Sequence, residues 1–162
     1  MAATEKEMPK MDGWTFEMPV DPSTIGTAQQ KRFDPRTRRF FTDKKVAAGM
    51  KVISLFAKSA AQKRGAVIPK HGKPVALSIS FFFAIPKPRL ESRSGEPIPT
   101  EGDPCTARWA GDCDNRAKSV VDALTLAGFW YDDQFVTRLE VEKRWTLKAP
   151  RIVATVKEDC AT

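Results

Sequence analysis

The segment Gly111-Asp112-Cys113-Asp114-Asn115-Arg116-Ala117-Lys118, followed by Asp132-Asp133, gathers carboxylates and a lysine within 22 residues of a chain that is otherwise strongly basic. Acids in a cationic surface oppose the field that draws an anionic partner, so they need a reason of their own. A divalent cation held against a phosphate supplies one. Carboxylate oxygens suit hard Mg²⁺, which binds through one or two of them and completes its octahedron with water and phosphate. Hydrolysis of a phosphodiester needs an in-line water, a Lewis acid for the developing charge, and help for the leaving oxygen. A cation on clustered carboxylates serves the first two needs. A nearby lysine stabilises the crowded phosphate or orients the attacking water, and it keeps its proton because the surrounding acids favour the charged form. These residue types point to metal-dependent chemistry on nucleic-acid phosphodiesters.

The spacing says which elements must position them. Asp114, Lys118 and Asp122 stand at i, i+4 and i+8, one stripe of a helix that Asp114 caps and Gly128 ends, with Ala117, Val120, Val121 and Leu124 turned inward. Asp112 lies in the loop before that helix. Asp133 comes from the turn after it, and a short return into a strand would bring it beside Asp112 and Asp114. Plainer uses exist for the same residues. Asp114 serves equally as an N-cap and Asp112 as a turn residue. The stripe serves as a solvated face with ion pairs worth about 0.3–0.5 kcal/mol each, and Asp132-Asp133 as an ordinary turn. On residue types alone both readings stay open. A calcium loop fits less well, because no glutamate follows at the distance such a loop requires.

Around this segment the pattern predicts a first strand at Trp14–Pro19, a basic loop over 20–42, and a helix capped by Asp43 that runs to about Arg64 and stops at Gly65. Leu77, Ile79, Phe81, Phe83 and Ile85 alternate along Val75–Ile85, the strongest strand signal in the chain. Residues 86–110, rich in proline and mixed charge, read as a long loop. Strands follow at Phe135–Trp145 and Arg151–Lys157. The order β-α-β-α-β-β, with hairpin-like later connections, predicts a single α+β domain over 13–162, a mixed β-sheet packed by two main helices, behind a flexible tail at 1–12.

Composition narrows the chemistry. The 162 residues carry a formal net charge of +7, which favours polyanionic partners. Lys31, Arg32, Arg36, Arg38 and Arg39, interleaved with Phe33, Phe40 and Phe41, suit phosphate contact with base stacking as well as simple solvation. Lys87 is a further candidate. Three cysteines without close pairing and one histidine, His71, leave no zinc spacing, no disulfide framework and no Ser-His-Asp or Cys-His machinery. The longest apolar run is too short to span a bilayer. No signal-peptide core precedes it, so a cytoplasmic protein with no membrane partner is expected.

Asp112-x-Asp114-Asn115-x-x-Lys118, then Asp122-Ala123-Leu124, then Tyr131-Asp132-Asp133-x-x-Val136, resembles the signature of the RusA-type Holliday junction resolvases. The layout upstream, and Val141-Glu142-Lys143 downstream, fit that family over about residues 14–157. The resemblance implies a RusA-like fold and a Mg²⁺-dependent homodimeric endonuclease, with Mn²⁺ able to substitute, that nicks four-way DNA junctions in pairs. It implies a phage or prophage setting. It assigns Asp112, Asp114 and Asp133 as catalytic metal ligands and Lys118 as catalytic lysine, with Asn115, Asp122 and Asp132 in support. Departures stand beside it: the family's Lys-Pro before the first aspartate is Ala110-Gly111 here, and Cys113 replaces an aliphatic residue. Two rival functions remain. One is a non-cleaving basic dimer that holds branched or single-stranded DNA. The other keeps the metal site but acts on flaps, forks or RNA.

Overall fold

A computed structural model describes residues 13–26, 31–63, 73–87 and 97–159. The N-terminal tail, Arg64-Gly65, His71 and the middle of the long loop lie outside them. The elements are β1 (Trp14–Met18), β2 (Lys31–Asp34), β3 (Arg39–Thr42), α1 (Lys44–Lys63), β4 (Val75–Ala84), α2 (Cys113–Ala127), β5 (Val136–Thr146) and β6 (Arg151–Glu158). A mixed four-stranded sheet runs β1-β6-β4-β5, with β4 and β5 parallel and the other pairs antiparallel.

The alternation in β4 explains the layering. Leu77, Ile79, Phe81 and Phe83 are buried, and so are their partners Val156, Ala154 and Ile152 on β6 and Trp145 on β5. Ile53, Ala57, Ala117, Val120 and Leu124 from the two helices complete this core. The other face is polar: Ser78 donates to Glu140 (3.1 Å) and Ser80 to Glu142 (2.7 Å). Two helices on one face of a mixed sheet is the predicted α+β architecture.

Two expectations change. The basic loop at 20–42 contains a hairpin, β2–β3, whose register pairs Phe33 with Phe40. Local propensity for strand is weak there. The hairpin is instead held by the ring contact between those phenylalanines (5.2 Å) and by Asp34, which accepts from the Arg36 amide (2.9 Å) and the Thr37 hydroxyl (2.9 Å). Arg38 takes a left-handed backbone (φ 52°) to close the turn. The second change is at the end of the chain. β5 and β6 are joined by a short turn yet do not pair, because β4 lies between them. The most apolar strand takes the centre, where both of its edges are covered. Glu101 fixes the crossing turn, accepting from the Leu147 amide (2.6 Å) and the Thr146 hydroxyl (3.0 Å).

Part of the predicted long loop is ordered along the outer edge of β5. The Gly102 amide donates to the Trp145 carbonyl (2.9 Å), the Trp145 amide to Asp103 (2.8 Å), and the Cys105 amide to Lys143 (2.9 Å). This covers the C-terminal half of an edge strand that would otherwise be open.

Several carboxyls are held below their ordinary values by these contacts. For Glu142 the main cause is the Ser80 hydroxyl, then Arg144; for Glu101 it is the Leu147 amide. A carboxyl with a depressed folded-state pKa contributes stability above its ordinary value, lost as pH falls through the folded value. The melting temperature should therefore hold from neutral pH to the ordinary carboxylate range and drop below it. Glu142→Gln should lower the neutral plateau and make the acid fall shallower. Thermal melts across the acid range check this, and an unchanged acid slope would refute it.

Candidate active site

Helix α2 opens two residues earlier than the sequence suggests. Asp112, not Asp114, is the N-cap, with extended backbone (φ −83°, ψ 146°) and its carbonyl accepting from the Arg116 amide (3.3 Å). The Asp112 side chain makes no cap hydrogen bond, and the carboxylate is left exposed. Gly111, immediately before the cap, sits at φ 68°, ψ −175°, a region essentially restricted to glycine. Proline, with φ fixed near −65°, has no access to it. The Ala110-Gly111 departure thus gives the chain a backbone at the first aspartate that a Lys-Pro pair could not form.

Arg116, one turn into α2, holds this entry together. Its guanidinium is buried and donates to the carbonyls of Ala110 and Pro22, to Ile25 (3.3 Å), and to Trp109 (3.5 Å). It also lies over the Phe83 ring (5.4 Å). Burial pushes its pKa down, and the charge of Asp21 partly restores it. From β5, Lys143 reaches the same turn and donates to the Gly111 carbonyl (2.6 Å).

Along the helix, Asp114 is exposed on the first turn, with half-buried Asn115 beside it. Lys118 pairs with Asp122 at 3.8 Å, across i, i+4. The return to Asp133 is anchored deeply. Gly128 ends α2 in a left-handed conformation, with its amide on the Leu124 and Thr125 carbonyls. Phe129 then packs on Trp14 and Phe16 (6.3 and 5.4 Å), and Trp130, also buried, donates to the Thr125 hydroxyl (2.7 Å). The chain emerges at Asp132, which caps a short 3-10 turn beginning at Asp133.

The adjacent carboxyls of Asp132 and Asp133 shift each other in opposite directions. Asp133 is raised above the ordinary aspartate value, first by the hydrogen bond it shares with the Asp132 carboxyl, then by burial and the Asp132 charge. Lys118 pulls it down and Asp122 pushes it up. Asp132 is lowered, chiefly by the same hydrogen bond. The return therefore brings Asp133 into the electrostatic reach of Lys118 and Asp122.

Asp112 and Asp114 stand at the helix start, and among the described residues no three His, Cys, Asp or Glu side chains are gathered closely enough to hold a cation. Their chemistry nevertheless fits a hard divalent ion: the aspartates are exposed and offer only oxygen donors.

The other candidates lie apart from the acids in sequence. Arg36, Arg38 and Arg39 are exposed on the β2–β3 hairpin, and Lys87 is exposed after β4. Lys31 and Arg32 form the start of β2, opposite Thr42 and Phe41. One residue escaped the sequence reading: Arg116 looked like filler between motif positions. Lys143 stood out only through the family resemblance, as the basic residue of Val141-Glu142-Lys143. Its place in the series Val141, Lys143, Trp145 adds that it shares a face with the buried Trp145.

Among the described residues no helix is long and apolar enough to cross a membrane. The family model described as Endodeoxyribonuclease RusA matches residues 19–157. The chain is also similar to the crossover junction endodeoxyribonuclease RusA of Escherichia coli O139:H28, 43% identical over 51 residues. That stretch is 32% of this chain and 42% of that protein, so the likeness spans less than half of the relative's length.

Proposed function

The chain belongs to the RusA endodeoxyribonuclease family, and from that membership we propose a Mg²⁺-dependent, structure-selective endonuclease that resolves four-way DNA junctions by paired nicks. It acts as a homodimer in the cytoplasm. The observation that carries the reading is the set of exposed aspartates on and beside α2, with Lys118 among them, in a chain of net charge +7. Asp112, Asp114 and Asp133 would hold the cation, with Asn115, Asp122 and Asp132 in support. When bound, the ion neutralises charge at the phosphate and lowers the pKa of an attacking water. Lys118 faces the scissile phosphate and stabilises its oxygens, and Asp122 holds that ammonium in place at 3.8 Å.

A junction has approximate twofold symmetry, so two coordinated nicks call for two sites related by a twofold axis. The exposed apolar stripe Val52, Leu55 and Phe56 on α1 supports a second copy there. Cleavage of a labelled synthetic junction in Mg²⁺, beside a linear duplex of the same sequence and a chelator control, tests the whole reading. Paired nicks in the junction alone support it. Equal binding with and without chelator, and no cutting, would favour the non-cleaving dimer, the reading that the Ala110-Gly111 departure supports. Mn²⁺ is expected to substitute.

The β2–β3 hairpin is the proposed phosphate grip, joined by Lys31, Arg32 and Lys87. Phe33 and Phe40 remain 52% and 69% exposed although paired, which suits stacking on bases opened at the branch. Arg36→Glu and Arg38→Glu should each weaken junction binding and lower the slope of log affinity against log salt by about 1. Titrations at several salt concentrations read this directly. Unchanged affinity in both variants would remove the hairpin from the interface.

A further inference from the structure

Lys143 occupies a place where the fold expects an apolar side chain. Its partner across the sheet is Phe81, and its neighbours on the same face of β5 are Val141 and Trp145. Half-burying an ammonium there costs desolvation, which a compensating contact must offset. Among the described residues Lys143 makes no ion pair. Its one hydrogen bond goes to a neutral group, the Gly111 carbonyl, at 2.6 Å.

That carbonyl belongs to the peptide unit joining Gly111 to Asp112. Gly111 stands at φ 68°, ψ −175°, with its amide donating to the Arg108 carbonyl (3.1 Å). Asp112 follows with no side-chain cap bond. Among the described residues no hydrogen bond or ion pair of its own side chain sets the direction of the Asp112 carboxylate. Lys143 is the side chain that bonds the peptide plane preceding it.

We propose that Lys143 is a positioning residue for Asp112, fixing the Gly111–Asp112 peptide plane from β5 so that the Asp112 carboxylate is presented to a divalent cation. This rests on the nuclease reading above and assigns a role to a residue outside the acidic signature. It also accounts for glycine at 111: the ammonium clamps a backbone that only glycine adopts easily, and the strand restores a positive charge beside a turn that carries none of its own at Ala110-Gly111.

The test compares the parent protein with Lys143→Met, Lys143→Arg and, as a control for charge, Lys148→Met, an exposed lysine in the β5–β6 turn. Four readouts are taken: Mn²⁺ affinity by calorimetry on the protein alone, the Asp112 amide resonance, the melting temperature, and junction cleavage. Lys143→Met should bind Mn²⁺ about 10-fold more weakly and cut about 10–100-fold more slowly, the range seen when a group orienting a metal ligand is lost. Its Asp112 resonance should move, while junction affinity in Ca²⁺ and most of the fold stay as in the parent. Lys143→Arg should recover much of the loss, and Lys148→Met should show none. Parent-like Mn²⁺ affinity and cleavage in Lys143→Met would overturn the proposal. So would both Lys143 variants melting at or below the assay temperature, which would make the lysine a folding residue only. If the parent itself neither binds Mn²⁺ nor cuts, the nuclease reading fails and this inference goes with it.

Discussion

Asp114→Asn is expected to abolish junction cleavage while leaving the protein folded and its grip on the junction intact. Asp114 is exposed on the first turn of α2 and makes no ion pair or side-chain hydrogen bond among the described residues. Its structural value is limited to a negative charge near a helix N-terminus, worth about 0.3–1 kcal/mol. Asparagine keeps the shape, so the melting temperature should barely move. The chemistry is another matter. Losing even an outer partner of a metal ligand costs about 10–100-fold, so losing a ligand should cost at least the upper end of that range. Removing an acid from the surface proposed to meet phosphates should hold junction affinity level or raise it. Gel-shift titration in Ca²⁺ and single-turnover cleavage in Mg²⁺ separate the two effects. Cleavage within a few-fold of the parent would take Asp114 out of the site, and a collapsed melting temperature would return it to the role of a structural helix-start residue.

Much of this fold was legible because it is written in apolar alternation. β4 shows it most clearly, since Leu77, Ile79, Phe81 and Phe83 can all be buried only if the strand is central. Gly128 marked the end of α2 for a local reason, its left-handed backbone. The acids were legible as residue types, and the roles proposed for them rest on the family resemblance. Their arrangement was not legible. Where Asp112 points depends on a glycine backbone angle and on a lysine reached through β4–β5 pairing, and neither is encoded near position 112. The hairpin was missed for a similar reason. Its strands are short and basic, and what closes them is a cross-strand ring contact and an aspartate clasp rather than strand propensity. The placing of β4 between β5 and β6 is likewise a tertiary choice, since a short turn in sequence reads as a hairpin.

Arg116→Met should be among the most destabilising single changes in the chain, although the residue sits unremarked inside the acidic motif. One guanidinium serves four backbone carbonyls, those of Pro22, Ile25, Trp109 and Ala110. They come from two segments that share no strand pairing, the stretch after β1 and the turn before α2. Methionine fills the volume but donates nothing, and each buried acceptor left unpaired costs about 1–3 kcal/mol. Partial recovery by water at the turn brings the expected loss to about 3 kcal/mol or more, a large share of the roughly 5–15 kcal/mol that holds a domain folded. Lysine should rescue poorly, because one ammonium lacks the planar fork that reaches both segments. Arg138→Met is the contrast: its ion pair with Asp159 (3.4 Å) has an exposed guanidinium and a half-buried carboxylate and is worth about 1 kcal/mol. Urea unfolding with a shared slope reads both differences. If Arg116→Met lay within about 1 kcal/mol of the parent, the clamp would not be what fixes the turn, and Asp112 would need another explanation for its place. If the loss is as large as expected, cleavage should fall with it, because the carbonyl of Ala110 and the peptide that carries Asp112 are neighbours in one turn.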